Sequence, residues 1–221
     1  ISQLAAWKTD TNRKPLVVHG ARQVGKTWTL KYFGREYFDD VAYFSLDKDE
    51  SGLCDVFRTT KDPQRIIQHL SFLHGKKIEP QTTLLILDEI QECNEALNAL
   101  KYFCEEAPEY AVACAGSLLG IYLNHVGKSF PVGKVNHLYM YPLTFTEFLR
   151  TKDPVMHEYM HSIDKVEPLP QIFFDKLRES FTAYSICGGM PEPATLMVDF
   201  NDMERVDSAL QDILNDYALD F

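Results

Sequence analysis

The octapeptide Gly20-Ala21-Arg22-Gln23-Val24-Gly25-Lys26-Thr27 satisfies G-x-x-x-x-G-K-[ST] at every fixed position, directly after the apolar run Leu16-Val17-Val18-His19. An apolar strand entering such a loop, with a helix-forming stretch behind it, restricts the chain to folds that hold a phosphate at a strand-to-helix turn. The residue types follow from that chemistry. Glycines let the backbone wrap closely enough for successive N–H groups to point at negative charge. Lys26 would reach the β- and γ-phosphates, and Thr27 supplies a hydroxyl small enough to ligate Mg²⁺. The candidate nucleotide contacts are therefore Gly20, Ala21, Arg22, Gln23, Val24, Gly25, Lys26 and Thr27, with Trp28 adjoining. Chance produces such a match in about one chain per hundred of this length, and the flanking strand and helix argue against chance here. The glycine spacing of dinucleotide folds, G-x-G-x-x-G, is absent.

A second motif stands downstream. Leu84-Leu85-Ile86-Leu87 ends in Asp88-Glu89, an apolar strand tipped by two carboxylates, which is the Walker B pattern. Asp88 is the candidate to hold hydrated Mg²⁺, and Glu89 to orient and polarise an attacking water. Neighbours on a strand point to opposite sides, so these roles require the strand to end at this point. The plainer reading is that the pair caps a helix beginning near Asn94. Nucleotide kinases and GTPases generally lack a carboxylate directly after the magnesium aspartate, whereas AAA-like and RecA-like proteins carry it, so Glu89 favours hydrolysis over transfer. The run Tyr110 to Ala115 ends in Gly116-Ser117, which makes Ser117 a candidate sensor of the γ-phosphate, against the alternative of ordinary loop chemistry.

Short apolar runs at Leu16–His19, Val41–Leu46, Thr83–Asp88, Tyr110–Ala115 and His137–Tyr141 alternate with helical patterns at Lys26–Phe33, Pro63–His74 and Glu95–Glu106. The alternation predicts an α/β domain, a parallel five-stranded sheet with helices on both faces. After Pro142 the strand signals stop, and helices are expected at Thr144–Arg150, Gln171–Cys187 and Met203–Asp216. Phe174, Leu177, Phe181 and Tyr184 form one apolar stripe at helical spacing. The expected division is residues 1–142 as a P-loop ATP-binding domain and 143–221 as a helical lid.

Charge and cysteine usage narrow the partners. The 32 acidic residues outnumber the 22 basic ones, giving a net charge of −10, which does not support nucleic-acid binding by this portion. No apolar run approaches the roughly 18 to 20 residues that span a bilayer. Five cysteines without a Cys-x-x-Cys pair are simplest to read as reduced thiols of a cytoplasmic protein. The start at Ile1 and the amphipathic end at Tyr217–Phe221 read as those of a fragment.

The motifs together are similar to a known group. Pro15 through Thr27, Leu87-Asp88-Glu89-Ile90-Gln91 and Ala115-Gly116-Ser117-Leu118-Leu119-Gly120 resemble the prokaryotic AAA-fold ATPases of uncharacterised cellular role. Ser129-Phe130-Pro131-Val132-Gly133-Lys134-Val135, Tyr141 through Phe148 and Gly188-Gly189-Met190-Pro191-Glu192 continue the match. The resemblance implies an AAA domain followed by helical and winged-helix segments, with a C-terminal domain that this sequence lacks. It also implies ATP and Mg²⁺ as ligands with slow hydrolysis. An arginine finger is expected in cis or from a neighbouring subunit, which would require self-association. Arg22, Lys134 and Arg150 are its candidates, each with a surface ion pair as the plainer role. Gln91 either positions water or caps the next helix.

Other constellations are weaker. His157-Glu158-Tyr159-Met160-His161 fits H-E-x-x-H, the zinc-peptidase spacing. Its polar neighbours and the lack of a third ligand beyond Glu167 or Glu179 favour a solvated helix. Cys93 and Cys104 have no histidine at ligand spacing. Trp28 and Tyr32 are expected as core contacts of the P-loop helix rather than an adenine platform, and His19 as a packed core histidine. Two functions remain: an ATPase whose lid moves with nucleotide state, or a nucleotide-gated switch that binds a protein partner with little turnover.

Overall fold

The computed structural model describes residues 1–47, 52–117, 131–165 and 167–219. The chain divides into two compact units, Ile1–Met140 and Tyr141–Phe221. In the first, α1 (Ser2–Thr9) precedes β1 (Leu16–His19), α2 (Lys26–Tyr37), β2 (Asp40–Ser45), α3 (Leu53–Thr59) and α4 (Pro63–His74). Then come β3 (Thr83–Asp88), a 3₁₀ turn at Ile90–Glu92, α5 (Asn94–Glu106), β4 (Ala111–Ala115) and β5 (Asn136–Tyr139). The strands form one sheet in the order β2-β3-β4-β1-β5, every neighbouring pair parallel. The fold is therefore α/β with a parallel five-stranded sheet, the architecture that the alternating motifs predict.

Burial explains why β3 and β4 read as unbroken apolar runs. Successive side chains on a strand face opposite ways, and helices cover both faces of this sheet. Leu85, Leu87, Val112 and Cys114 join Phe57, Ile66, Leu70, Leu97, Leu100 and Phe103 of α3, α4 and α5 in one core. Leu84, Ile86, Ala111, Ala113 and Ala115 face the other way, into a second core with Leu4 and Trp7 of α1 and Leu30 and Phe33 of α2. Gly34 permits the close approach of α2 to the sheet, since a Cβ there would lie 2.6 Å from Val41 Cγ2.

Strand ends differ from the sequence expectation by one or two residues. The larger differences are helical. The P-loop helix continues past Phe33 to Tyr37, because Gly34 is an interior packing residue rather than a stop. Helices α1 and α3 carry no sequence signal of their own. Each has eight residues or fewer and is defined by two or three buried anchors, Leu4 and Trp7 in the first, Leu53, Cys54 and Phe57 in the second.

The second unit holds α6 (Phe145–Lys152), α7 (Pro154–His161), α8 (Gln171–Cys187), α9 (Pro191–Asp199) and α10 (Met203–Leu219). Thr144 and Glu147 close a capping box at the start of α6. Asp153 accepts from the Met156 N–H at the start of α7, with Pro154 in the first turn. A small core gathers Phe148, Cys187, Ala194, Met197 and Val206, with Leu143, Phe145 and Tyr184 packed against it. The apolar stripe of α8 is divided. Tyr184 reaches inward to donate to the Leu143 carbonyl at 2.8 Å, whereas Phe174 and Phe181 are exposed. Leu118-Leu119-Gly120 and Ser129-Phe130, which share in the family resemblance, lie outside the described residues. No helix among those described is long and apolar enough to cross a membrane.

Candidate functional site

The C-terminal ends of β1, β3 and β4 meet around the loop from Gly20 to Gly25. That loop depends on glycine at two places. Gly25, the N-cap of α2, is left-handed at φ 91°. Gly20 has φ 154°, and a side chain there would overlap the Met140 carbonyl oxygen. Gln23 is also left-handed, at φ 61°, a conformation costly for a residue with a Cβ. Between them Val24 is buried and anchors the loop.

Lys26 is 6% exposed, and its Nζ donates to the Gly20 and Ala21 carbonyls at 2.9 and 2.7 Å. Burial lowers its pKa, opposed by the charges of Glu89 and Asp88. The buried Asp88 carboxylate accepts three hydrogen bonds. Its Oδ2 accepts from Thr27 Oγ1 at 2.7 Å and from the Tyr43 hydroxyl at 3.0 Å, while Oδ1 accepts from the Glu89 N–H at 3.1 Å. None of these donors belongs to α5, so Asp88 does not serve as a helix cap.

β3 stops at Asp88, and Glu89 turns into the left-handed region at φ 49°. The strand end that the two carboxylates require is thus present. Glu89 Oε2 accepts from Gln91 Nε2 at 2.5 Å, with Ser117 Oγ at a longer 3.4 Å. The N-cap of α5 is Cys93, without a side-chain cap bond, so the capping role considered for Gln91 does not hold. Gln91 addresses Glu89 instead, and its buried Oε1 has no protein partner.

Lys26, Thr27, Asp88, Glu89 and Ser117, scattered over more than ninety positions of sequence, therefore converge. Trp28 does not join them. It is 68% exposed and stacks on Tyr32 with ring centroids 5.2 Å apart, so the expectation of core contacts for this pair is corrected. Position 28 follows Thr27 on the outer side of α2, where the sheet offers it no cover. His19 is likewise not a packed core histidine. It stands partly exposed at the end of β1, its Nε2 2.8 Å from His137 Nδ1, stacked on Tyr139. Burial and His137 both lower its pKa.

Of the finger candidates, Lys134 pairs with Glu105 at 2.8 Å, Arg22 lies on the loop itself, and Arg150 belongs to α6. His157 and His161 face each other on α7, ring centroids 4.4 Å apart. Among the described residues, no group of three or more His, Cys, Asp and Glu is placed to hold a metal. All five cysteines are free, and burial pushes the Cys114 thiol up. Sequence reading missed Tyr43. Its only signal was an aromatic residue near the end of the strand that neighbours β3, which becomes informative once that neighbour is known.

Comparison with known proteins bears on the same loop and strands. A family model described as an AAA domain matches residues 12–149, more than half of the chain. The chain belongs to this AAA family. It is accordingly an AAA-type P-loop ATPase domain, with ATP as the nucleotide class that the family binds. Among solved structures it is similar to C. elegans PCH-2, at 14% identity and a TM-score of 0.48, over 95% of this chain and 67% of that one. AMPPCP-bound DnaA from Aquifex aeolicus gives 14% and 0.40 over 96% and 64%, and Drosophila ORC bound to DNA gives 13% and 0.48 over 97% and 66%. The AAA chain thus spans about two thirds of the length of these solved chains. No curated protein matches it.

Proposed function

We propose that residues 1–142 bind Mg-ATP across Gly20–Thr27 and hydrolyse it to ADP and phosphate, and that residues 143–221 form a helical lid that responds to nucleotide state. The reading rests on the 2.7 Å meeting of the Thr27 hydroxyl with the Asp88 carboxylate, beside Lys26 and Glu89. Two hard oxygens of this kind at a helix N-terminus suit a small divalent cation that keeps several of its waters. Thr27 and Asp88 would hold Mg²⁺ there, and the ion would supply positive charge to offset that of the phosphates.

The chain's own groups then divide the work. Thr27 and Asp88 would hold the ion, the one through its hydroxyl and the other through its carboxylate. Lys26 brings positive charge to the phosphates, and Ser117 is assigned to the γ-phosphate side. Gln91 and Ser117 both address Glu89 Oε2, so Oε1 is the oxygen assigned to take the proton of the attacking water. That water bonds to the γ-phosphorus as the bond to the β–γ bridging oxygen breaks.

The test is the thermal midpoint with and without Mg-ATP in wild type and Lys26→Ala. Ligand at about a hundred times its Kd contributes roughly 2.7 kcal/mol, a rise of about 5 to 10 °C. The rise should vanish in Lys26→Ala, and Glu89→Gln should keep it while losing phosphate release. Undiminished release in Glu89→Gln would sink the assigned mechanism.

A second reading has an observation in its favour. Gln91 and Ser117 both bond to Glu89 Oε2, which ties down the carboxylate that an attacking water would have to meet. A nucleotide-gated switch with little turnover, which binds a protein partner or a second copy of the chain, fits that feature. Equal partner recovery with and without ATP would count against it. The free thiols suit a reducing cytoplasm, and the net charge of −10 lends no support to nucleic acid as a partner.

A further inference from the structure

We infer that Tyr43 is a positioning residue for the metal-binding carboxylate, aiming Asp88 from the neighbouring strand. The inference rests on the Mg-ATP reading above and adds a residue outside both nucleotide motifs. In the parallel β2–β3 register Tyr43 pairs with Ile86 and Ser45 with Asp88, so Tyr43 sits two positions short of the carboxylate. Its ring packs on the core between α2 and the sheet, and its hydroxyl donates 3.0 Å to Asp88 Oδ2. That oxygen also receives Thr27 Oγ1 at 2.7 Å.

The terminal torsion of an aspartate is broad and soft, so an isolated carboxylate swings. Here two hydroxyls hold one oxygen and the Glu89 N–H holds the other. Thr27 is itself a candidate ligand, and its bond to Asp88 has to adapt when it takes a cation. Tyr43 is the donor that can keep the carboxylate plane in place through that change. The phenol is also held from the other side, because Lys31 Nζ stands 3.3 Å from its ring centroid. Lys31 lies one helical turn beyond Thr27 on α2, so the ring bridges the P-loop helix and β2.

Tyr43→Phe removes the hydroxyl and preserves the ring, its core packing and the Lys31 contact. Binding of a fluorescent ATP analogue, titrated with Mg²⁺ at fixed nucleotide, should show the half-saturating Mg²⁺ rising about ten- to a hundredfold, the scale of one hydrogen bond to a charged group. Analogue binding in EDTA should stay as in wild type. In an Asp88→Asn background, Tyr43→Phe should add no further shift, since the phenol acts through that carboxylate. An unchanged Mg²⁺ requirement in Tyr43→Phe, with wild type clearly Mg²⁺-dependent, would overturn the inference and leave the site reading standing. A lowered midpoint with equal losses in Mg²⁺ and in EDTA would reduce Tyr43 to packing and overturn it too. Wild-type binding indifferent to Mg²⁺ would overturn the metal site and this inference together.

Discussion

Glu89 and Asp88 are adjacent in sequence, yet one accepts from Gln91 and Ser117 and the other from Thr27, Tyr43 and a backbone N–H. The left-handed turn at Glu89 separates them. Lys26, Thr27, Asp88 and Glu89 were legible beforehand because phosphate and magnesium chemistry demands those side chains at those spacings. Tyr43 was not legible, because a tyrosine on a strand is ordinary until its neighbour in the sheet is known. His19 was misread as core for a related reason, since β1 is buried except at the end where it meets His137. That pair has a consequence for acid stability. Burial and His137 lower the folded His19 pKa below its usual 6.5. Below about pH 6.5 the unfolded imidazole binds a proton that the folded one refuses, so stability present above that pH is lost as pH falls through the lowered folded value. His19→Gln should therefore lose less of its urea midpoint between pH 7.5 and 5.5 than wild type, as followed by circular dichroism.

Helix α2 presents loop chemistry at one end and a packing constraint at its middle. Lys26 and Thr27 open it, while Gly34 lets it lie close against Val41 and Leu84. Alanine at position 34 would contribute about 1 kcal/mol of helix propensity. Its Cβ would lie 2.6 Å from Val41 Cγ2, on a β-branched side chain with little rotamer freedom. Overpacking of this sort costs about 1 to 3 kcal/mol. Gly34→Ala should therefore be destabilising by roughly 1 kcal/mol in a urea titration, and adding Val41→Ala should recover part of the loss. The same close approach explains why the helix outran its sequence expectation. Gly34 is required there by the neighbouring strands, whose Val41 and Leu84 leave no room for a Cβ. Short α1 and α3 went unseen because two or three apolar anchors cannot establish a period, whereas α4 and α8 match their expected spans, with twelve and seventeen residues of pattern.

Both cores of the first unit, and all of the site residues in it, fall within residues 1–140, whereas the helical unit has a smaller core of its own. A chain of residues 1–140 should accordingly fold and keep a thermal rise of about 5 to 10 °C with saturating Mg-ATP. Disappearance of that rise from a folded 1–140 would mean that the helical unit supplies nucleotide contacts. By itself the sequence determined the α/β class, the loop, the carboxylate pair and the helical tail, since motif chemistry and hydrophobic period are local properties of the chain. Tertiary structure alone decided that β4 lies between β3 and β1 and that Tyr43 reaches Asp88. It also decided that Gln91 turns to Glu89 and that Trp28 faces outward. The first two outcomes depend on which strands become neighbours, and the last two on how the turn after β3 and the helix α2 are oriented in the fold.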